Sequence, residues 1–142
     1  MKYVNEPIDI ANMLYKMGRM DFRRGATEGQ ITSFEKKYNI MLPSAFKKWL
    51  LYTDGGDFFL PAGVQLYGVA TKPIIDINDN DRPCEKYIVI GRLCNGDPIL
   101  FEKGKDEISI YNHEAGRIEK DEIFVDCISF LNNIPDILGF GG

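Results

Sequence analysis

Four places in the chain carry residue types that could do chemistry, and spacing decides among them. Asp76, Asn78 and Asn80 stand at alternate positions, as the first oxygen ligands of a helix–loop–helix calcium site do. Counted from Asp76, such a loop needs glycine at its sixth position and a bidentate glutamate at its twelfth. This chain has Asp81 and Tyr87 there, so an acidic, solvated loop is the better reading. Asp54-Gly55-Gly56-Asp57 has the glycines of a phosphate-cradling loop. Such loops precede a helix, whose first amides face the anion, and the P-loop type ends in Gly-Lys-Ser/Thr. These glycines follow a helical stretch and lack that ending, which marks a helix stop and a turn.

His113 is the sole histidine and could form a nucleophilic pair with Cys84, Cys94 or Cys127. Those cysteines fall in a loop, beside a hairpin turn and on an apolar helix face, while His113 sits next to Glu114 in a turn. Zinc needs about four clustered ligands, which the chain supplies poorly. The sixteen acidic residues after position 53 guarantee close carboxylate pairs by chance, so a pair spaced for glycoside hydrolysis carries no information. The final Gly141-Gly142 is like a ubiquitin tail, but a helix-first order is wrong for that fold. The expectation is a chain that is not an enzyme, with no catalytic, cofactor-binding or metal-binding residues.

The elements that would position any site begin with helices. At 142 residues and 44% apolar content, the chain fits one domain over 1–142 with a single core. Ile8, Ala11, Leu14 and their neighbours predict a helix over 5–17, with Pro7 in its first turn. The segment 18–26 reads as a connector. Thr27 and Gln30 have the spacing of a capping box, Ile31, Phe34 and Tyr38 follow as an apolar stripe, and Asn39 suits a left-handed stop. Pro43 opens a further helix whose Phe46, Trp49, Leu50 and Thr53 share one face, with Gly55-Gly56 as its end. Trp49 belongs to the core, and removing it or Phe46 should cost about 3–5 kcal/mol.

After Gly56 the period changes from helix to strand. Short runs at 64–69, 74–77, 87–93, 98–102, 107–111 and 117–119 are separated by turn residues. Asn95-Gly96 predicts a two-residue type I′ hairpin, in which both residues take positive φ. Ser109 between Ile108 and Ile110 predicts one buried and one wetter face. A closing helix is expected near 124–133, ending before Pro135. The fold class is therefore α+β: a helical N-terminal half on a mainly antiparallel sheet of five or six strands, then a C-terminal helix.

Charge divides along the same line. Residues 1–53 hold nine Lys/Arg against five Asp/Glu, and residues 54–142 hold eight against sixteen. An acidic half disfavours nucleic acid and suits a basic protein partner. Three cysteines without Cys-x-x-Cys spacing suit free thiols in a reducing compartment. With neither a signal-type N-terminus nor an apolar run of membrane-spanning length, the expected location is the cytoplasm, away from the membrane.

With the elements placed, the chain resembles the SUKH superfamily of fungal glucan-synthesis regulators and bacterial immunity proteins. The likeness rests on Ile31-Thr-Ser-Phe-Glu35, the Leu42-Pro43-Ser-Ala-Phe46 corner with Lys-Lys-Trp49-Leu after it, and the Asp54-Gly55-Gly56 stop. It continues through the strand 87–91, Asn95-Gly96-Asp97 with Pro-Ile-Leu-Phe, Tyr111-Asn-His-Glu114 and the 125–131 segment. It spans about 27–131 and leaves out the first 25 residues and the 76–85 insert. The resemblance implies an α+β domain that binds proteins and has no catalysis of its own. It also implies that Glu35, Leu42, Pro43, Gly55, Gly56, Gly96 and Asp97 are architectural. Bacterial members neutralise a cognate intracellular toxin by direct binding, which is the leading expectation here. Fungal members regulate cell-wall synthesis, which is the alternative, and a carboxylate hydrolase is the weakest. Asp76, Asp79, Asp81 and Glu85 of the insert are the expected partner-binding residues, facing a basic toxin domain.

Overall fold

Three helices, α1 (Pro7–Tyr15), α2 (Glu28–Tyr38) and α3 (Ser44–Tyr52), precede six strands and a closing helix in this computed structural model, which describes residues 4–61 and 63–140. The strands are β1 (Gly56–Phe58), β2 (Val64–Leu66), β3 (Tyr87–Leu93), β4 (Pro98–Glu102), β5 (Ile108–Asn112) and β6 (Arg117–Phe124), and α4 (Cys127–Ile137) follows. They form one antiparallel sheet in sequence order, so the fold is α+β. The Gly141-Gly142 tail lies outside the described residues.

Local signals built the helices. The Thr27 hydroxyl accepts from the Gln30 amide at 3.1 Å, and the Gln30 side chain accepts from the Thr27 amide at 2.9 Å. Asn39 ends α2 in the left-handed region, at φ 52°. Pro43 stands one place before α3, as its N-cap. The Glu35 carboxylate turns the corner by accepting from the Leu42 amide at 2.8 Å, and Lys47 pairs with it at 3.3 Å. Asp126 caps α4 by accepting from the Ser129 amide at 2.8 Å, so that helix starts at Cys127 and runs through Pro135 to Ile137. Pro135 is tolerated because it lies in the last turn, where little helix remains to be broken.

Helices and sheet enclose a core built on Phe46, Trp49, Phe58, Phe101 and Phe130, all fully buried. Ile88, Phe101 and Ile108 are aligned by register on the core face. Val89, Leu100 and Ser109 are aligned on the opposite face and are buried as well, which corrects the expected wetter face at Ser109. Both faces of the sheet centre are covered.

Several strand expectations are revised. Residues 74–77 form no strand; Ile74 makes only an isolated parallel bridge to Gly68. Pro73 and two Asx turns, Asp76 to the Asn78 amide and Asp79 to the Asp81 amide, curl that segment instead. The run 64–69 narrows to β2, and β6 extends to Phe124. The Asn95-Gly96 hairpin is present but is not type I′: Gly96 has φ +93°, whereas Asn95 is not in the positive-φ region. The Gly96 amide donates to the Leu93 carbonyl and the Leu93 amide to the Asp97 carbonyl, each at 2.9 Å, giving a three-residue connection with glycine in the left-handed place.

Gly55-Gly56 does more than end a helix. Gly56 starts β1, a strand the sequence pattern did not reveal, and Gly55 has φ +98°. A Cβ on Gly55 would lie 2.5 Å from the Leu66 carbonyl oxygen. Gly55→Ala is expected to destabilise the protein by about 1–3 kcal/mol, read from the urea midpoint. A cost under about 0.5 kcal/mol would mean that the backbone shifts freely there. The 18–26 connector is also built in. Asp21 and Asp57 exchange both backbone hydrogen bonds at 2.9 Å, and Ala26 donates to the Leu50 carbonyl at 2.8 Å. The outer edge of β1 is thereby covered.

Candidate interaction surface

The segment between β2 and β3 carries the acidic residues singled out by sequence, and buried polar groups hold it in place. Asp54 has a fully buried side chain at the end of α3. Its carboxylate accepts three successive backbone amides, from Val69 at 2.8 Å, Ala70 at 2.9 Å and Thr71 at 2.6 Å. Ile75 then plugs the segment into the core. Arg82 donates to the Ile77 carbonyl at 3.1 Å and the Tyr87 carbonyl at 2.7 Å, closing the loop at its far end.

Arg92 on β3 anchors the middle of the segment. Its guanidinium donates to the Tyr67 hydroxyl at 2.7 Å and to Asp79 at 2.9 Å, with Asp81 at 3.6 Å. Burial works against the Arg92 charge, but the hydrogen bonds to Tyr67 and Asp79 outweigh it, so its pKa lies above the ordinary value. Asp79 and, at longer range, Asp81 are therefore paired with a cation of the chain itself. Asp76 and Glu85 are exposed and appear in none of the ion pairs among the described residues. Of the four insert carboxylates expected at an interface, these two are the ones without an ion pair among the described residues.

The remaining chemical candidates have structural partners. His113 Nδ1 lies 2.5 Å from Asp97 Oδ1, and the same oxygen accepts from the His113 amide at 3.2 Å. Asp97 also receives the Asn95 side chain, so it ties the β3–β4 turn to the β5–β6 turn. Trp49 is fully buried and donates its indole N–H to the Gly55 carbonyl at 3.0 Å. Asp57 meets Arg23 at 3.3 Å and Gln65 at 2.9 Å. No group of three His, Cys, Asp or Glu among the described residues is placed to hold a metal ion. No described helix is long and apolar enough to cross a membrane.

The cysteines differ sharply. Cys84 and Cys94 are exposed, whereas Cys127 is buried in α4. Burial, followed by the Asp126 charge, raises the Cys127 thiol well above its ordinary pKa, opposite to what a nucleophile needs. A colorimetric thiol reagent at pH 8 is expected to titrate Cys84 and Cys94 in the native protein and Cys127 only after denaturation. Rapid labelling of a third thiol in the folded state would contradict that burial.

Sequence reasoning missed Asp54, Arg92 and Asn132 as organising residues. Asn132 accepts from the Val4 amide at 3.0 Å and donates to the Val4 carbonyl at 2.7 Å, fastening the N-terminal segment to α4. A polar residue inside an apolar helix stripe was its one visible signal. Comparison with curated proteins finds none that matches. The model of the SMI1 / KNR4 family (SUKH-1) matches residues 25–133, and with most of its length so matched this chain belongs to that family.

Proposed function

We propose that this chain is a non-catalytic protein-binding module, an immunity protein that neutralises a cognate intracellular toxin by direct binding. Membership of the SUKH-1 family supports the module. The observation that carries the choice of partner is the charge division: residues 54–142 hold sixteen Asp/Glu against eight Lys/Arg. That half suits a basic toxin domain, because opposite fields speed encounter and penalise wrong partners. A cytoplasmic setting accords with the three free cysteines.

Co-purification from the source cell, with mass spectrometry of what is retained, tests this reading. A basic effector encoded beside this gene is the expected catch. A wall-synthesis component, or a gene lying in a wall-synthesis operon, would point instead to a regulatory role. With the partner in hand, the Asp76→Lys, Glu85→Lys double variant is expected to weaken binding on the order of tenfold at low salt, mostly through the association rate. An unchanged rate constant would remove the insert from the interface.

A further inference from the structure

The two edges of the sheet are treated differently. The β1 edge is covered by the Asp21–Asp57 backbone pair. At the other edge β6, eight residues long, pairs with β5 on one side and, among the described residues, has no strand on the other. An uncovered edge of this length presents backbone donors and acceptors to any extended chain. The pairing of β6 is also incomplete on its inner side. Arg117 and Ile118 pair with Asn112 and Tyr111, Ile123 and Phe124 with Ser109 and Ile108, and Glu119–Glu122 have no partner residue on β5.

Arg117 and Lys120 lie on β6 itself, but the charge in the cleft beside it is one-signed. Beside β6 runs a cleft of about 290 Å³ lined by Asp121, Glu122 and Phe124 and by Asn133, Asp136 and Ile137 of α4. Among the described residues no Lys or Arg pairs with Asp121, Glu122 or Asp136. Burial, and then Asp121, Asp97 and Glu119, raise the pKa of Glu122, so the fold holds these carboxylates together without a cation. Phe124 and Ile137 give the cleft an apolar wall for an alkyl stem. Ile123 and Val125 remain 43% and 71% exposed at the end of the strand.

We propose that the β6 edge takes an extended, lysine- or arginine-rich segment of a protein partner as a seventh strand, with one basic side chain seated in the cleft against α4. The inference rests on the protein-binding reading and adds to it a place and a mode. Backbone pairing along Glu119–Phe124 supplies the hydrogen bonds, and charge complementarity in the cleft selects the sequence. The β6 edge is then a contact additional to the insert carboxylates Asp76 and Glu85, and each is tested by its own variants.

The probe is a labelled eight-residue peptide alternating lysine and valine, followed by anisotropy at low salt and by amide hydrogen exchange. The controls replace valine by proline, which cannot pair as a strand, or lysine by glutamate. Binding of the lysine–valine peptide alone, with slowed exchange at Glu119–Phe124, is expected. The Asp121→Lys, Glu122→Lys double variant should weaken it on the order of tenfold. Asp121→Asn, Glu122→Gln, which keeps side-chain shape, should weaken it in the same direction. Equal binding of the proline peptide, unprotected β6 amides, or an affinity indifferent to both double variants would each overturn the proposal. The acidic edge would then serve only to discourage aggregation. Retention of the native partner by the charge-reversed chain, with β6 amides unprotected, would remove this edge while leaving the binding module intact.

Discussion

Asp54→Ala is expected to lower stability by about 3–5 kcal/mol, because it strips three backbone amides, one buried and two part-buried, of their common acceptor at once. The carboxylate is fully buried and takes the amides of Val69, Ala70 and Thr71. Hydrogen bonds to a charged group are worth about 1.5–3 kcal/mol each, and an orphaned buried donor costs about 1–3 kcal/mol. The three are not additive, since the 69–71 segment can swing out to water, and that release limits the loss. Asp54→Asn keeps the shape but turns an NH₂ toward donors, so it should recover only part of the stability. Urea unfolding of the three proteins gives the values. Hydrogen exchange at residues 69–71 should show local opening in both variants. An Asp54→Ala protein within about 0.5 kcal/mol of the parent would mean that this turn is held by other contacts.

The second large effect is at Trp49. The indole is fully buried, stacks on Phe58 at a 5.8 Å centroid distance, and meets Phe22 edge-on at 5.4 Å. Its N–H donates to the Gly55 carbonyl. Trp49→Ala should cost about 3–5 kcal/mol through the cavity and the lost ring contacts. Trp49→Phe retains much of the volume but leaves the Gly55 oxygen unpaired, so about 1–3 kcal/mol is expected from that defect. Partner affinity of the folded Trp49→Phe protein should be unchanged, because a side chain with no exposed surface cannot act as a hot spot in this conformation. Tight binding lost in a stably folded Trp49→Phe variant would contradict the core assignment.

These two residues show how unevenly the fold can be read from sequence. Trp49 is buried as its helical spacing with Phe46 and Leu50 predicts, because that spacing is a local property. Asp54 shows in sequence only as part of a helix stop, since its acceptor role depends on a segment fifteen to seventeen residues downstream. The same division holds at the acidic insert. Its composition marked Asp76, Asp79, Asp81 and Glu85 together, but Arg92, thirteen residues beyond Asp79, takes two of the four. Net charge counts side chains equally, whereas pairing decides which of them still project a field.

By itself the sequence determined the capping box and left-handed stop of α2, the corner at Leu42-Pro43, the place of the hairpin at Asn95-Gly96 and the α+β order. Each rests on a few neighbouring residues whose backbone preferences or hydrogen bonds are satisfied within one turn. Only the tertiary structure decided that 74–77 curls instead of pairing and that Gly56–Phe58 is a strand. It also decided that the segment before α2 seals one sheet edge while β6 stays open. Those outcomes depend on which distant backbone groups meet, and a three-residue strand or an edge has no periodicity of its own to announce it.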